Sequence, residues 1–172
     1  MNKNLLELNL RAAEGVRLKP YVDTRGKLTI GCGRNLTDLG INDAEVLYML
    51  NNDMDRVGWE LDKAWPEWRS LDEDRQAALA EMCFNLGITR LSGFTKMRAA
   101  LAAKDWITAA QEALDSNWHQ QVGDRRAMRV ADILRSGSSN IVLEAVDQPV
   151  ERSLQSSRAI KGAQVATATT VF

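Results

Sequence analysis

The sequence has 172 residues, a formal net charge of −1 and 45% apolar residues. These values are typical of one globular domain, or of two small lobes that share a core, and they argue against a disordered chain, a fibre or a general attraction to nucleic acid. The sequence has a single histidine, His119, which argues against a Ser/His/Asp site. Its two cysteines, Cys32 and Cys83, lack metal-ligand spacing and lie in different predicted elements, so free thiols are expected in preference to a metal site or a disulfide.

The first predicted element is an amphipathic helix over residues 4–13, whose leucines have helical spacing and which ends near Gly15. Glu7 and Arg11 interrupt its apolar run, so it does not read as a signal peptide. Residues 20–33 then alternate about a Thr-Arg-Gly turn, which predicts a two-stranded hairpin.

A loop, "NLTDLGINDAEV", leads to a long helix. Asn42 or Asp43 is the predicted N-cap, and the apolar spacing continues to about Ala64, before Pro66. Such a helix is long enough to connect two lobes.

A further helix is predicted to begin at Ser70 or Asp72 and to end at Gly87. Three more follow over "FTKMRAALAAK", "WITAAQEALDS" and "DRRAMRVADILRSG", with "NWHQQVGD" as the connection between the last two and Gly137 as the final stop. Trp118 in that connection is expected to pack in the core.

The elements together predict an α+β, mainly helical fold. A domain over residues 1–137 is expected to contain a β-containing lobe at 14–42, a connecting helix at 43–65 and a helical lobe built from 70–137 plus 4–13, with a cleft between the lobes. Residues 138–172 have few large apolar side chains and are expected to form a tail. Its last 14 residues are shorter than the roughly 20 that span a bilayer, so the tail is either the start of an anchor or a disordered end.

Two carboxylates flank the hairpin. Glu14 lies at the end of the first helix, Asp23 follows nine residues later, and Thr29 lies six residues beyond it on the partner strand. A protonated acid, an ionised carboxylate and a hydroxyl that holds a water are what inverting glycoside hydrolysis needs. Spacing alone is weak evidence in a chain with 23 acidic residues, and it favours the ordinary explanation, in which Glu14 is a helix-end acid and Asp23 a turn residue.

Four short stretches in residues 14–33 decide between these explanations. "EG", "RLKPY", "DTRG" and "LTIGCG" together resemble the catalytic stretch of phage-type lysozymes, the muramidases of glycoside hydrolase family 24. "CFNLGITRLSGFTKM", Trp118 and "RRAMRV" resemble a second region of that family, so that the resemblance covers about residues 5–137. It implies a two-lobe lysozyme-like fold.

The resemblance also implies roles for individual residues. Glu14 would be the general acid, Asp23 the carboxylate on the far side of the sugar and Thr29 the holder of the attacking water, with inversion at the anomeric carbon and without cofactor or metal. The substrate-binding positions implied are Asn35, Phe84, Asn85 and Met97.

Several residues are implied to support this site. The hairpin glycines Gly31 and Gly33 match the family motif, and Arg126 corresponds to the arginine that pairs with the catalytic glutamate, with Arg125 as the alternative. Arg34 stands where the family usually has a histidine, and its ion-pair partner on the connecting helix is expected among Asp53, Asp55 and Glu60.

The function that the resemblance implies is that of an endolysin, which hydrolyses the β-1,4 bond between N-acetylmuramic acid and N-acetylglucosamine in peptidoglycan. Such an endolysin is expected to be a monomer that is made in the host cytoplasm and acts on peptidoglycan in the periplasm. Its expected indirect partner is a holin, which permeabilises the membrane. The arginines of "GDRRAMR" would scatter round a helix, so no nucleic-acid partner is expected. The alternatives are a lytic transglycosylase, which needs neither Asp23 nor Thr29, and a catalytically silent wall-binding module.

Overall fold

The computed structural model describes residues 1–139. Within them, Met1–Gly137 form one compact unit. The predicted tail falls almost wholly on residues 140–172, outside the described residues, so its two alternatives stay open. None of the helices in the described part is long and apolar enough to cross a membrane.

The described residues fold into eight α-helices, one 3₁₀ helix and three short strands. In chain order these are α1 (Lys3–Glu14), β1 (Arg17–Val22), β2 (Leu28–Gly31), β3 (Arg34–Asn35), α2 (Asp43–Ala64), the 3₁₀ helix (Pro66–Ser70), α3 (Glu73–Leu86), α4 (Ile88–Leu91), α5 (Thr95–Ala102), α6 (Trp106–Leu114), α7 (Asn117–Val122) and α8 (Asp124–Ser136). The predicted α+β, mainly helical fold is confirmed.

The long predicted helix begins where its capping residues place it. Asn42 accepts a hydrogen bond from the backbone N–H of Glu45, and the Glu45 carboxylate accepts one from the backbone N–H of Asn42. This reciprocal pair satisfies two backbone donors that the helix itself leaves free. Asp72 caps α3 with a single bond, which its side chain accepts from the backbone N–H of Arg75.

Two connections that were expected to be irregular contain regular structure. Strand β3 consists of Arg34, just after the predicted hairpin, and Asn35, the first residue of the predicted loop, and with two residues it is too short to show an alternating pattern. The predicted connection "NWHQQVGD" contains α7 (Asn117–Val122), which Gly123 ends and which buries Trp118. The expected burial of Trp118 is confirmed, since its side chain is 1% exposed.

The three strands form one antiparallel sheet in the order β1, β2, β3. On β2, Thr29 pairs with Tyr21 of β1 on one side and with Asn35 of β3 on the other. Thr29 therefore lies in the central strand, where it is buried.

The hydrophobic core begins in the second half of α2 and continues to α8. Val57 and Leu61 are the buried residues of α2, and the core then takes in apolar side chains of every later helix of the described part. The largest of the fully buried side chains are Trp118, Leu61, Leu79, Met82, Leu91 and Met97. α2 thus has its C-terminal half in the core, whereas its N-terminal half leads back to the sheet.

Helix α1 is exposed along its whole length. Leu6 and Leu10 line a small groove together with Cys32 of the turn between β2 and β3. This groove places α1 beside the sheet. The assignment of residues 4–13 to the helical lobe stays a prediction.

Candidate active site

Glu14 is the last residue of α1, and its side chain is exposed. Gly15 closes the helix with a bond from its N–H to the carbonyl of Arg11, and it adopts a φ of 69°, which favours glycine. The Glu14 carboxylate then lies beside the turn that follows β2, because a Cβ built on Gly33 would stand 3.7 Å from Glu14 Oε2. The structure therefore places the predicted acid against the predicted supporting glycine.

A β-bulge shortens the distance between the two ends of β1. Arg17 pairs with Gly31 and Tyr21 pairs with Thr29, so four steps of β1 lie opposite two steps of β2. At about 3.3 Å per residue, β1 spans roughly 7 Å here instead of about 13 Å. Pro20 lies within the bulge, where a residue without an N–H is tolerated. The bulge therefore draws Asp23, at the far end of the strand, towards the end that carries Glu14.

Asp23 is half-buried in the turn between β1 and β2. Its Oδ1 accepts hydrogen bonds of 2.8 Å from the backbone N–H groups of Arg25 and Lys27. These two donors fix the orientation of the carboxylate. Its Oδ2 makes no hydrogen bond to any residue of the described part, so this oxygen is the one that can face a substrate or a water.

Lys27 connects Asp23 to Thr29 through its backbone. Its N–H donates to the Asp23 carboxylate, and its carbonyl accepts from the backbone N–H of Asp23 at 2.9 Å and from the Thr29 hydroxyl at 3.1 Å. The Thr29 hydroxyl thus uses its proton within the hairpin and keeps lone pairs to accept from a water. Sequence reasoning missed Lys27, because a backbone contact leaves no trace in residue type.

The four predicted substrate-binding residues fall into different environments. Asn35 is half-buried, and its side-chain amide is held by Asp38, from whose backbone N–H it accepts and to whose carboxylate it donates. Phe84 and Asn85 are exposed neighbours on α3, and Asn85 Oδ1 accepts a 3.0 Å bond from Trp118 Nε1. The structure shows no contact that joins Asn35 to this pair.

Met97 does not have the exposure that a substrate contact requires. Its side chain is fully buried in the core, at the base of an open groove of about 630 Å³ between α5 and α7 whose lining includes it. The side chains at the surface of that groove include Arg90, Lys96, Glu112 and Gln121. The expected substrate contact of Met97 is therefore corrected to a packing role.

The predicted pair between Arg126 and Glu14 is also corrected. Arg126 Nε donates to Glu81 Oε1 at 2.9 Å, and Arg129 donates to the same oxygen at 2.5 Å. Arg125 is exposed and has no ion pair within residues 1–139. The physical reason is packing: α8 lies against α3, which presents Glu81, whereas Glu14 lies beside the sheet.

Arg34 has its partner on the connecting helix, as expected, but at a different residue. Its guanidinium donates to Glu45 Oε2 at 3.1 Å. The three candidates named from the sequence lie further along α2, where Asp53 and Glu60 both pair with Arg56. β3 ends close to the start of α2, and this proximity selects Glu45 in the first turn.

The described residues contain no group of three or more His, Cys, Asp or Glu side chains arranged to hold a metal ion. Cys32 and Cys83 are free thiols. The hairpin presents the carboxylates of Glu14 and Asp23, the Thr29 hydroxyl and backbone N–H groups.

Comparison with known sequences agrees with this chemistry. The sequence model of the family described as phage lysozyme matches residues 11–132. The chain belongs to the phage lysozyme family. The resemblance stated from the sequence is thereby confirmed, and family membership supports a glycoside hydrolase of the lysozyme kind with peptidoglycan as its substrate.

Relatives of two kinds are found. The chain is 31% identical over 165 residues to the pre-baseplate central spike protein Gp5 of Enterobacteria phage T4, with 80% of this chain and 28% of that protein covered. It is 26% identical to the probable T4-type lysozyme 2 and 24% identical to the probable T4-type lysozyme 1 of Dictyostelium discoideum, over 75% and 76% of this chain and 92% and 94% of those proteins. The chain thus spans about a quarter of the spike protein and nearly the whole of each lysozyme.

Proposed function

We propose that this protein hydrolyses the β-1,4 bond between N-acetylmuramic acid and N-acetylglucosamine in peptidoglycan, with inversion at the anomeric carbon. The observation that carries the proposal is the hairpin itself. Its bulge draws together the ends that carry Glu14 and Asp23, and the Lys27 backbone holds Asp23 and Thr29 in one hydrogen-bonded unit.

Each residue has one role in the proposed reaction. Protonated Glu14 donates its proton to the glycosidic oxygen as the bond from C1 to that oxygen breaks. A water that donates to the Thr29 hydroxyl oxygen attacks C1 from the opposite face, while Asp23 stabilises the positive charge that develops on the sugar and accepts the proton that the water loses. The hydroxyl of the water ends on C1 and one proton ends on the leaving sugar, so the reaction is a net hydrolysis.

The first experiment measures release of reducing ends from purified peptidoglycan. Glu14→Gln keeps the shape of the side chain and removes the proton donor, so the rate should fall about 10²- to 10⁴-fold. Glu7→Gln is the matched control, because Glu7 is an exposed carboxylate on the same helix and pairs with Arg11. A Glu14→Gln variant that retains the rate of the control would show that another group supplies the proton.

The reaction type is tested on the products. Hydrolysis with inversion should give the α-anomer of the new reducing end in proton spectra recorded before mutarotation. A first-formed β-anomer would replace inversion with retention. Anhydromuramic ends in the mass spectrum would replace the hydrolase with a lytic transglycosylase, and binding to peptidoglycan without any new ends would leave only a wall-binding module.

We further propose that the protein acts as an endolysin, as a monomer made in the host cytoplasm that reaches the periplasm once a holin permeabilises the membrane. Support comes from membership of the phage lysozyme family. Expression in Gram-negative cells should leave them intact until a permeabilising agent or a holin is added. Lysis without permeabilisation would contradict this role.

A structural role in a virion is the second candidate, since one relative is a pre-baseplate central spike protein. If this role is correct, mass spectrometry of purified particles should detect the chain at a fixed copy number. An endolysin should be absent from the particles.

A further inference from the structure

The side chain of Arg34 joins three parts of the molecule. Its backbone belongs to β3 and pairs with Ile30. Its Nε donates to the carbonyl of Gly40 at 3.0 Å, in the loop that leaves the sheet, and its terminal nitrogen donates to Glu45 Oε2 at 3.1 Å, in the first turn of α2. One half-buried guanidinium therefore connects the sheet, the loop and the long helix.

The carboxylate that binds Arg34 is also the one that caps α2. Glu45 Oε2 accepts from the backbone N–H of Asn42 at 2.8 Å, and the Asn42 side chain accepts from the backbone N–H of Glu45 at 3.0 Å. A capping pair normally fixes only the start of a helix. Here the same oxygen also receives Arg34, so the start of α2 is tied to the end of β3.

Both sequence neighbours of Arg34 lie against residues of the candidate active site. Gly33 precedes it and stands next to the Glu14 carboxylate. Asn35 follows it and pairs directly with Thr29. A displacement of β3 would consequently move the surroundings of the proposed acid and of the residue proposed to hold the water.

From this arrangement we infer that Arg34 is a positioning residue for the proposed hydrolysis. It holds β3 against the start of α2, and it thereby sets the distance between the Gly33 turn beside Glu14 and the strand that carries Thr29. It acts through these neighbours and does not touch the reacting atoms. The inference rests on the proposed function for its kinetic test but has a structural consequence that does not depend on activity.

The two consequences of removing Arg34 differ in size. Its side chain and that of Glu45 are 38% and 41% exposed, and ion pairs with such exposure contribute little to global stability. A catalytic group that is displaced by about 1 Å, in contrast, can cost about a hundredfold in rate. If the ion pair were merely structural, removing Arg34 would lower the free energy of unfolding and leave kcat unchanged. If Arg34 is a positioning residue, its removal lowers kcat and changes the free energy of unfolding little.

The experiment compares Arg34→Ala with Arg56→Ala. Arg56 is the matched control, because its guanidinium also bonds two groups, the carboxylates of Asp53 and Glu60, is also about half exposed, and lies on α2 away from the sheet. We measure kcat and KM for release of reducing ends from purified peptidoglycan, well below the thermal midpoint of each variant. Amide hydrogen exchange of residues 30–46 is measured in the same proteins without substrate.

The expected result has three parts. Arg34→Ala lowers kcat by about 10- to 100-fold with KM within about twofold of the wild type, and it speeds exchange in residues 30–46. Arg56→Ala changes neither, although the two variants have similar thermal midpoints. Arg34→Lys recovers only part of kcat, because one ammonium cannot reproduce the forked geometry with which Arg34 reaches Gly40 and Glu45 together.

Other outcomes separate the inference from the proposed function. Equal kcat in Arg34→Ala and Arg56→Ala would overturn the inference, and so would a rise in KM alone, since that would make Arg34 a substrate contact. Unchanged exchange in residues 30–46 would also overturn it. An inactive wild-type protein with faster exchange in Arg34→Ala would instead overturn the proposed function, while it would still support the conclusion that Arg34 holds β3 against the start of α2.

Discussion

The substitution Arg75→Ala tests how the C-terminal end of α8 is stabilised. Arg75 lies on α3 and is 7% exposed. Its Nε donates to the carbonyl of Leu134 at 2.7 Å, and a terminal nitrogen donates to the carbonyl of Arg135 at 3.0 Å. These carbonyls belong to the last turn of α8, where no further helical N–H groups are available to pair with them. A side chain 59 residues away in sequence from Leu134 thus supplies the missing donors.

Two more contacts hold the guanidinium in place. It bonds Asp72 Oδ2 at 2.5 Å, and its Cζ lies 3.8 Å from the centre of the Trp106 ring. Gly137, which ends α8 with a left-handed φ of 69°, lies so close that an added Cβ would overlap the guanidinium. The charge, the ring and the helix end therefore form one packed unit.

The expected loss follows from these contacts. Each bond from a charged donor to a carbonyl contributes about 1.5–3 kcal/mol, and stacking on the ring contributes about 0.5–2 kcal/mol. Because the contributions are not additive, we expect Arg75→Ala to lower the free energy of unfolding by about 3–5 kcal/mol. At about 2–4 °C per kcal/mol, the thermal midpoint should fall by about 10 °C.

Arg69 provides the matched control. Its guanidinium also pairs with an aspartate, Asp62, and also lies over a tryptophan, Trp68, at 4.2 Å from the ring centre, but its side chain is 56% exposed. We expect Arg69→Ala to lower the stability much less than Arg75→Ala does, because an exposed ion pair contributes little. Urea and thermal unfolding followed by circular dichroism give both values. Equal losses in the two variants would refute the reasoning, because burial and the α8 carbonyls are what distinguish the two arginines.

Three further predictions concern other parts of the molecule. His119 bonds to the Leu114 carbonyl and to Asp124, and these bonds raise its pKa above the ordinary value. The stability that they provide should therefore be complete below about pH 6.5 and should be lost as pH rises through the raised pKa. The difference in urea midpoint between wild type and His119→Gln should shrink from pH 6 to pH 9, and a constant difference would contradict this. Burial raises the pKa of the Cys83 thiol to about 11, and the nearby Glu60 is a further cause. A disulfide reagent should therefore modify only the exposed cysteine, Cys32, of the two in the folded protein and both thiols in denaturant. Rapid modification of both thiols in the folded state would contradict this prediction. Gly33→Ala has space for its Cβ but must keep a φ of 79°, so it should lower stability by about 1–2 kcal/mol in urea unfolding, and no measurable loss would show that the turn can adopt another conformation.

The parts of the fold that the sequence predicted are those whose causes are local. Asn42, one of the two predicted N-caps, begins α2, and Gly87 and Gly137 end the helices that they were expected to end. Short helices without a strong pattern of their own were missed. α7 is held by Trp118, whose place in the core depends on elements distant in sequence.

The ion pairs show the same division between local and distant causes. Arg34 was expected to reach the connecting helix, but Glu45 was not named, because the position of β3 relative to α2 decides which carboxylate comes within reach. Arg126 was assigned to Glu14 by resemblance. Its actual partner, Glu81, depends on how α8 packs against α3, and nothing in the sequence around either residue encodes that packing.

The proposed catalytic residues belong to the local class, and this explains why a short stretch of sequence identifies them. Asp23 and Thr29 are bonded to one residue between them, Lys27, so their separation is set within a seven-residue turn and hardly depends on the rest of the molecule. Glu14 reaches the same hairpin through Gly15 and through the bulge in β1, both of which are also local. The residues that would bind the sugar chain, in contrast, lie on elements far apart in sequence, and there the resemblance named a buried residue, Met97. In this family a short motif can therefore indicate the chemistry, whereas the contacts that select the substrate have to be read from the packing of the helices.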